Sequence, residues 1–299
     1  MWSSLLEQIK QGEEKAIARS ISLIENEAEG YEQLLESLPN SQTPLIGITG
    51  PPGAGKSTLV DALIEEIIKK DKKIAILCVD PSSPFNLGAL LGDRIRMSKW
   101  YNHPNVFIRS LATRGSLGGL HPKIIEISEL LKAAPFDYII VETVGVGQSE
   151  IEIAGLADAT VVVLVPEAGD EVQTMKAGLM EIADVFVVNK SDRPESDLFV
   201  KNLRLMLAPA FHTHPREVAV IKTIASQKKG ISELWKAIDT VLKYQNAPQQ
   251  KAWLLAERAY QLIQNKRMTG IDKRVMKEKI QKQLSNQHFN LYHFINQFL

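Results

Sequence analysis

The chain has 299 residues, 35 Lys+Arg against 35 Asp+Glu and zero formal net charge; 44% is hydrophobic and 23% charged. This composition excludes disordered and fibrous classes, and the length fits one large domain or two smaller ones. Zero net charge argues against a broad nucleic-acid or anionic-membrane surface, and no apolar run approaches the roughly 20 residues that span a bilayer. A single cysteine, Cys78, excludes an internal disulfide and a Cys-cluster metal site.

In chain order, residues 3–38 carry apolar side chains at helical spacing (Leu5, Leu6, Ile9, then Ala16, Ile17, Ile21, Ile24), which predicts two helices broken near Gly12 and stopping before Pro39. A short polar linker, 40–44, follows. Short β-rich runs then alternate with helical ones: strands are expected at 45–49, 74–79, 106–110, 138–143, 160–165, 185–189 and 218–223, with helical patterns at 57–70, 123–134, 171–182 and 197–207 among them. Several strand runs are continuously apolar, as in a parallel sheet covered on both faces. Beyond residue 244 the strand signals stop. Residues 246–250 read as a linker, and Trp253, Leu254, Tyr260, Ile263, Val275, Ile280, Leu284, Phe289, Phe294 and Phe298 give a helical tail whose apolar surface needs a core or a second subunit to cover it. The expected organisation is an N-terminal helical extension (1–42), a doubly wound, mostly parallel α/β domain (43–245) and a C-terminal helical arm (246–299). The first eight residues lack a basic segment followed by an apolar one, so secretion is not expected and the cytoplasm is the expected location.

Gly50-Pro51-Pro52-Gly53-Ala54-Gly55-Lys56-Ser57 fits the phosphate-loop pattern G-x-x-x-x-G-K-[ST], with a strand before it and a helix after it. Glycines let the backbone curl so that its N–H groups face phosphate oxygens, and the helix N-terminus adds partial positive charge. Lys56 is expected to reach the β- and γ-phosphates and Ser57 to ligate Mg²⁺. Asn189-Lys190-Ser191-Asp192 stands at the C-terminal end of the expected strand 185–188, the edge where open α/β sheets hold ligands. A carboxylate at Asp192 can accept two hydrogen bonds from guanine, at N1–H and the 2-amino group, whereas adenine would leave it unpaired. Lys190 would lie along the base and Asn189 would tie the loops together; Ala225, in Thr223-Ile224-Ala225-Ser226, could offer its N–H to guanine O6.

Acids at two other strand ends, Asp80 and Glu142, suit Mg²⁺ or its waters. Glu142-Thr143-Val144-Gly145 also has the form of a nucleotide-sensing turn, with the Gly145 N–H toward a γ-phosphate. Asp93 is a candidate for a second metal shell or for orienting water. Lys176 and Arg114 could donate charge to a transition state, or could simply be solvated. His212-Thr213-His214, before Pro215, reads as a loop and Cys78 as a small buried apolar residue.

Taken together, 50–58, 79–83, 92–97, 112–115 with Gly118-Gly119, 142–150, 173–178 and 189–192 resemble the methylmalonyl-CoA mutase-associated GTPases (MeaB/ArgK type), within the P-loop GTPase branch of signal-recognition and metal-insertion GTPases. Glu142-Thr143-Val144-Gly145-Val146-Gly147-Gln148-Ser149-Glu150 is the most specific stretch, and the resemblance covers about 40–245. Ser116 and the 223–226 loop depart from the pattern. The resemblance implies a P-loop NTPase fold and a Mg²⁺-dependent GTPase that chaperones a cobalamin-dependent acyl-CoA mutase, coupling GTP hydrolysis to adenosylcobalamin loading and protection. It implies GTP/GDP on Gly50 to Thr58, Gly145, Asn189, Lys190, Asp192 and Ala225, and a homodimer through the C-terminal arm. It further implies a Mg²⁺ network of Ser57, Asp80, Asp93 and Glu142, with Lys56, Asp93, Glu142 and Lys176 as the catalytic set, Lys176 on a switch that moves when a partner docks. No D-x-H-x-x-G stretch is present, so cobalamin would sit on the partner. The alternatives are a kinase or ATPase of an amino-acid transport system, a nickel-insertion-type metallochaperone, and a structural dimer module.

Overall fold

The structure, a computed structural model, describes residues 2–81, 97–114, 120–145, 149–168, 182–207, 218–245, 248–285 and 289–298. Seven strands form one sheet: β1 (Leu45–Thr49), β2 (Ile74–Asp80), β3 (Val106–Ala112), β4 (Tyr138–Glu142), β5 (Ala159–Leu164), β6 (Val185–Val188) and β7 (Ala219–Lys222). Their order is β3-β2-β4-β1-β5-β6-β7, and every pairing is parallel. The inner strands β1, β2, β5 and β6 are buried at every position. Continuous Val/Ile runs are tolerated only where both faces are covered. The rim strand β7 is more exposed and ends on Lys222, as suits a sheet edge.

One face packs α4 (Lys56–Ile68) and α8 (Ile231–Gln245) on the sheet: Leu59, Leu63 and Ile67 meet Ile46, Ile48, Ile76, Val161, Leu234 and Ile238 in a single core. On the other face α6 (Ser149–Leu156) lies against β1, and α7 (Ser196–Leu207) places Phe199, Val200, Leu203 and Leu207 on Val162, Phe186 and Val188. Each fully buried Ile or Leu contributes about 1.5–3 kcal/mol relative to exposure. The doubly wound α/β fold expected from the alternation is therefore the observed one.

The N-terminal region holds three helices rather than two: α1 (Trp2–Lys10), α2 (Glu14–Glu25) and α3 (Tyr31–Glu36). The second break falls between Glu25, where α2 ends, and Gly30, which precedes α3 at φ 82°, a left-handed conformation that glycine adopts freely. α2 and α3 pack on α5 (Ile124–Lys132), beside the sheet edge at β3. The expected linker at 246–250 is partly helical, because α9 (Pro248–Arg267) starts on a proline; a first helical position neither needs the missing N–H nor resists the fixed φ.

The chain divides into two compact units, Met1–Lys251 and Ala252–Leu299. Within the second, Phe294 is buried between Phe289 and Phe298, at centroid distances of 5.9 and 5.2 Å. Its helix α10 (Lys273–Ser285) buries no side chain, leaving Val275 and Leu284 exposed, and α11 (Leu291–Ile295) completes the unit.

Candidate functional site

The strand order fixes where a ligand can sit. β1 has β4 on one side and β5 on the other; the crossover leaving β1 runs toward β2 and the one leaving β4 runs the opposite way to β5, which opens a crevice at the C-terminal ends of β1 and β4. The loop 50–55 fills the mouth of that crevice and runs into α4. Gly50 has φ 136°, and a Cβ there would overlap the Val163 carbonyl of β5. The loop thus rests on the strand beside it, which only glycine permits. The N-cap of α4 is Gly55, which supplies no side-chain cap, so the first turn is dressed by backbone alone, as an anion site requires.

Lys56 lies over this loop, buried, with Nζ donating to the carbonyls of Gly50 (2.8 Å), Pro51 (3.1 Å) and Val144 (3.4 Å). Its ammonium therefore joins the loop after β1 to the turn after β4. Gly145 closes the same joint: at φ 84°, a Cβ would overlap the Gly50 carbonyl and crowd Lys56 Nζ. Behind them the Thr49 and Thr143 hydroxyls pair at 2.9 Å, tying the tips of β1 and β4.

Ser57, the next residue of α4, donates its hydroxyl to Glu142 Oε1 at 2.6 Å, and both residues are buried. A hydrogen bond to a charged acceptor in such a place is worth about 1.5–3 kcal/mol. Asp80 belongs to the same neighbourhood by register. Cys78 pairs with Glu142, so Asp80 stands two residues further along β2. Side chains alternate along a strand, so Asp80 shares the sheet face of Ile76 and Cys78, the face that packs on α4. Ser57, Asp80 and Glu142 thus supply oxygen donors only, two of them carboxylates, which fits a hard Mg²⁺ ion that takes few protein ligands and completes its shell with phosphate and water. Among the described residues no group of three His, Cys, Asp or Glu is arranged to hold a metal by itself.

At the other end of the crevice, Asn189 is buried and joins three segments. Its Nδ2 donates to the Ala54 carbonyl (2.9 Å), and its Oδ1 accepts from Thr223 Oγ1 and from the Ala225 N–H, both at 3.1 Å. Lys190, at φ 54°, donates to the Gly53 carbonyl at 2.8 Å. A pocket of about 90 Å³ opens between these segments, lined by Gly55, Thr58, Asn189, Lys190, Ile224, Ala225 and Ser226. Asp192, further along the loop, is exposed. A larger open hollow, about 390 Å³ on α7 and β7, contains none of these residues. The crevice, defined by topology and converging polar groups, is the better candidate.

Asp93 and Lys176 lie outside the described residues, as do His212 and His214. Arg114 is not simply solvated. Its Nη1 donates to the Glu25 carbonyl at 2.6 Å and its Nη2 approaches Asn26 Oδ1 at 3.4 Å, both at the end of α2. His121 is buried beside Glu25, with Nε2 3.7 Å from Oε1. Burial pushes its imidazole down to about 4, the Glu25 carboxylate opposing. Burial also disfavours the Lys123 cation, but hydrogen bonds to Glu27 and Tyr31 outweigh it and hold Lys123 above the ordinary lysine range. Sequence reasoning missed this cluster because its members are dispersed between residues 25 and 123 with no shared spacing.

A parallel sheet switching direction at a phosphate loop, with a buried lysine over the loop and a base-side asparagine stitching it to two further loops, defines a P-loop nucleotide-binding protein. Over residues 17–283 the sequence matches the family described as methylmalonyl-CoA mutase-associated GTPase MeaB, and the chain belongs to that family. It is accordingly a GTPase. A Pyrococcus abyssi protein is 48% identical over 243 residues, 80% of this chain and 75% of that one. The fused isobutyryl-CoA mutase of Geobacillus kaustophilus is 39% identical over 256 residues, 80% of this chain and 24% of that one. A crystal structure of an LAO/AO transport system kinase superposes with a TM-score of 0.67 at 28% identity, covering 99% of this chain and 96% of that chain. Among the described residues, no helix is long and apolar enough to cross a membrane.

Proposed function

We propose that this GTPase serves a cobalamin-dependent acyl-CoA mutase, coupling Mg²⁺-dependent GTP hydrolysis to loading and protection of the mutase's adenosylcobalamin. The observation that carries the reading is the relative in which a domain like this one is part of an acyl-CoA mutase chain; fusion puts two activities at high effective concentration and is useful when they act together.

In this reading the loop 50–58 holds the triphosphate. Lys56 exchanges its carbonyl partners for β- and γ-phosphate oxygens, and backbone amides at the start of α4 receive the remaining charge. Ser57, Asp80 and Glu142 would hold Mg²⁺, which would supply positive charge to offset that of the triphosphate. The Gly145 N–H reports the γ-phosphate. Asp93 belongs with the metal and attacking-water network, and Lys176 acts from a switch that settles only with the partner present, so hydrolysis by the isolated protein is slow. Asn189, Lys190, Asp192 and the Ala225 N–H select guanine. The reading further makes the chain a cytoplasmic homodimer through the arm 246–299, with Val275, Leu284 and neighbouring exposed apolar side chains as its contact surface.

The test is to mix the purified protein with the acyl-CoA mutase of its source cell and a non-hydrolysable GTP analogue. The proposal expects a stable complex, faster phosphate release from GTP and GTP-dependent transfer of adenosylcobalamin to the apo-mutase. Absence of both association and any effect on transfer would reject it. Phosphate release without added acceptor separates hydrolysis from a kinase reaction.

A further inference from the structure

We propose that Glu25, the last residue of α2, is a positioning residue for the metal side of the nucleotide site, acting through Arg114 and the tip of β3. The inference rests on the reading that Asp80 serves the bound Mg²⁺.

Glu25 draws two arginines from the far edge of the sheet. Its Oε2 accepts from Arg109 Nη2 at 2.6 Å, and its Oε1 lies 3.8 Å from Arg114 Nη2 and 3.7 Å from His121 Nε2. Arg109 also donates to Ser22 Oγ at 3.0 Å. The Glu25 carbonyl accepts from Arg114 Nη1 at 2.6 Å. That carbonyl closes the C-terminal end of a 12-residue helix, where partial negative charge favours a cation. The Glu25 side chain is 10% exposed and Arg109 25%, so that pair is shielded better than a surface ion pair, whereas the Arg114 contacts lie at the surface.

The backbone at Arg114 is unusual as well. Arg114 has φ 46°, the left-handed region that a non-glycine residue keeps only when its surroundings hold it there. Immediately before it, the Thr113 N–H donates to the Asp80 carbonyl at 3.1 Å, and Ala112 pairs with Asp80 in the β2–β3 register. A route of direct contacts therefore runs from the Glu25 carboxylate and carbonyl to Arg114, to the Thr113 amide, and to the backbone of Asp80. Glu25 touches neither nucleotide nor metal. It fixes where the Asp80 carboxylate stands, and it makes the N-terminal helices part of the nucleotide site.

The experiment measures how Mg²⁺ slows release of N-methylanthraniloyl-GDP from the full chain, wild type against Glu25→Gln and Arg114→Gly. Glycine adopts the left-handed turn freely, so Arg114→Gly removes the guanidinium without adding backbone strain. Both variants should need roughly tenfold more Mg²⁺ for half-maximal retention, as loss of an outer partner of a metal site typically costs, with release in EDTA unchanged. A lowered melting temperature with an unshifted Mg²⁺ requirement in both variants would make the cluster a purely structural clamp and overturn the proposal. If Glu25→Gln does not fold, Arg114→Gly decides alone. If the wild type retains the nucleotide no better with Mg²⁺ than without it, the metal reading itself fails and this inference falls with it.

Discussion

At the phosphate end of the crevice, one continuous run, 50–58, brings loop, cation and hydroxyl, and a single buried carboxylate from β4 meets it at Ser57. At the base end, the groups come from two separate loops, after β6 and after β7, and they cohere because Asn189 reaches 135 positions back to Ala54 and 36 forward to Ala225. The first end is contiguous in sequence and takes its outside partners from the tips of β2 and β4. The second is an assembly of distant segments, so a lesion in its hub should spread to the phosphate loop, whereas a lesion in one base-reading group should not.

Three substitutions exploit that asymmetry. Lys56→Ala removes the cation that links the Gly50, Pro51 and Val144 carbonyls and would meet the phosphates. It should weaken triphosphate binding by at least about a hundredfold, ~3 kcal/mol, the upper range for hydrogen bonds to charged groups, read by equilibrium titration with GTP; undiminished affinity would exclude the lysine from phosphate binding. Asn189→Ala should lower GTP and GDP affinity together by roughly tenfold and cost about 1–2 kcal/mol of stability, because the buried Ala54 carbonyl and Ala225 N–H lose their partner; paired nucleotide titration and urea unfolding report the two effects. Asp192→Asn acts on an exposed side chain. It should leave stability within about 0.5 kcal/mol while shifting preference from GTP toward xanthosine triphosphate, measured by competition; an unchanged base preference would remove Asp192 from the base site.

The seven strands were legible because a two-sided parallel sheet demands uninterrupted apolar runs, and Ile74 to Val79 or Thr160 to Leu164 have no competing helical reading. The phosphate loop was legible because its chemistry is contiguous. What escaped is what contiguity does not encode. The break at Gly30 was hidden within helical spacing, and Pro248, which opens α9, reads in isolation as a linker residue. The sequence leaves Arg114 as either a transition-state donor or a solvated cation, and its engagement by α2 depends on the N-terminal helices meeting the β3 end of the sheet. Asn189 shows the intermediate case: its place at a strand end is local, but its three partners come within reach only once β1, β5, β6 and β7 are aligned in one sheet.

The central claim is that one crevice grips a triphosphate tail at Lys56 and Ser57 and reads guanine at Asn189 to Asp192. Titration calorimetry of the full chain with GTP and with ATP, each in the presence of Mg²⁺, tests it directly. Saturable heat for GTP, with ATP at least about a hundredfold weaker, is the predicted result; no heat for GTP, or matching isotherms for the two nucleotides, would contradict it.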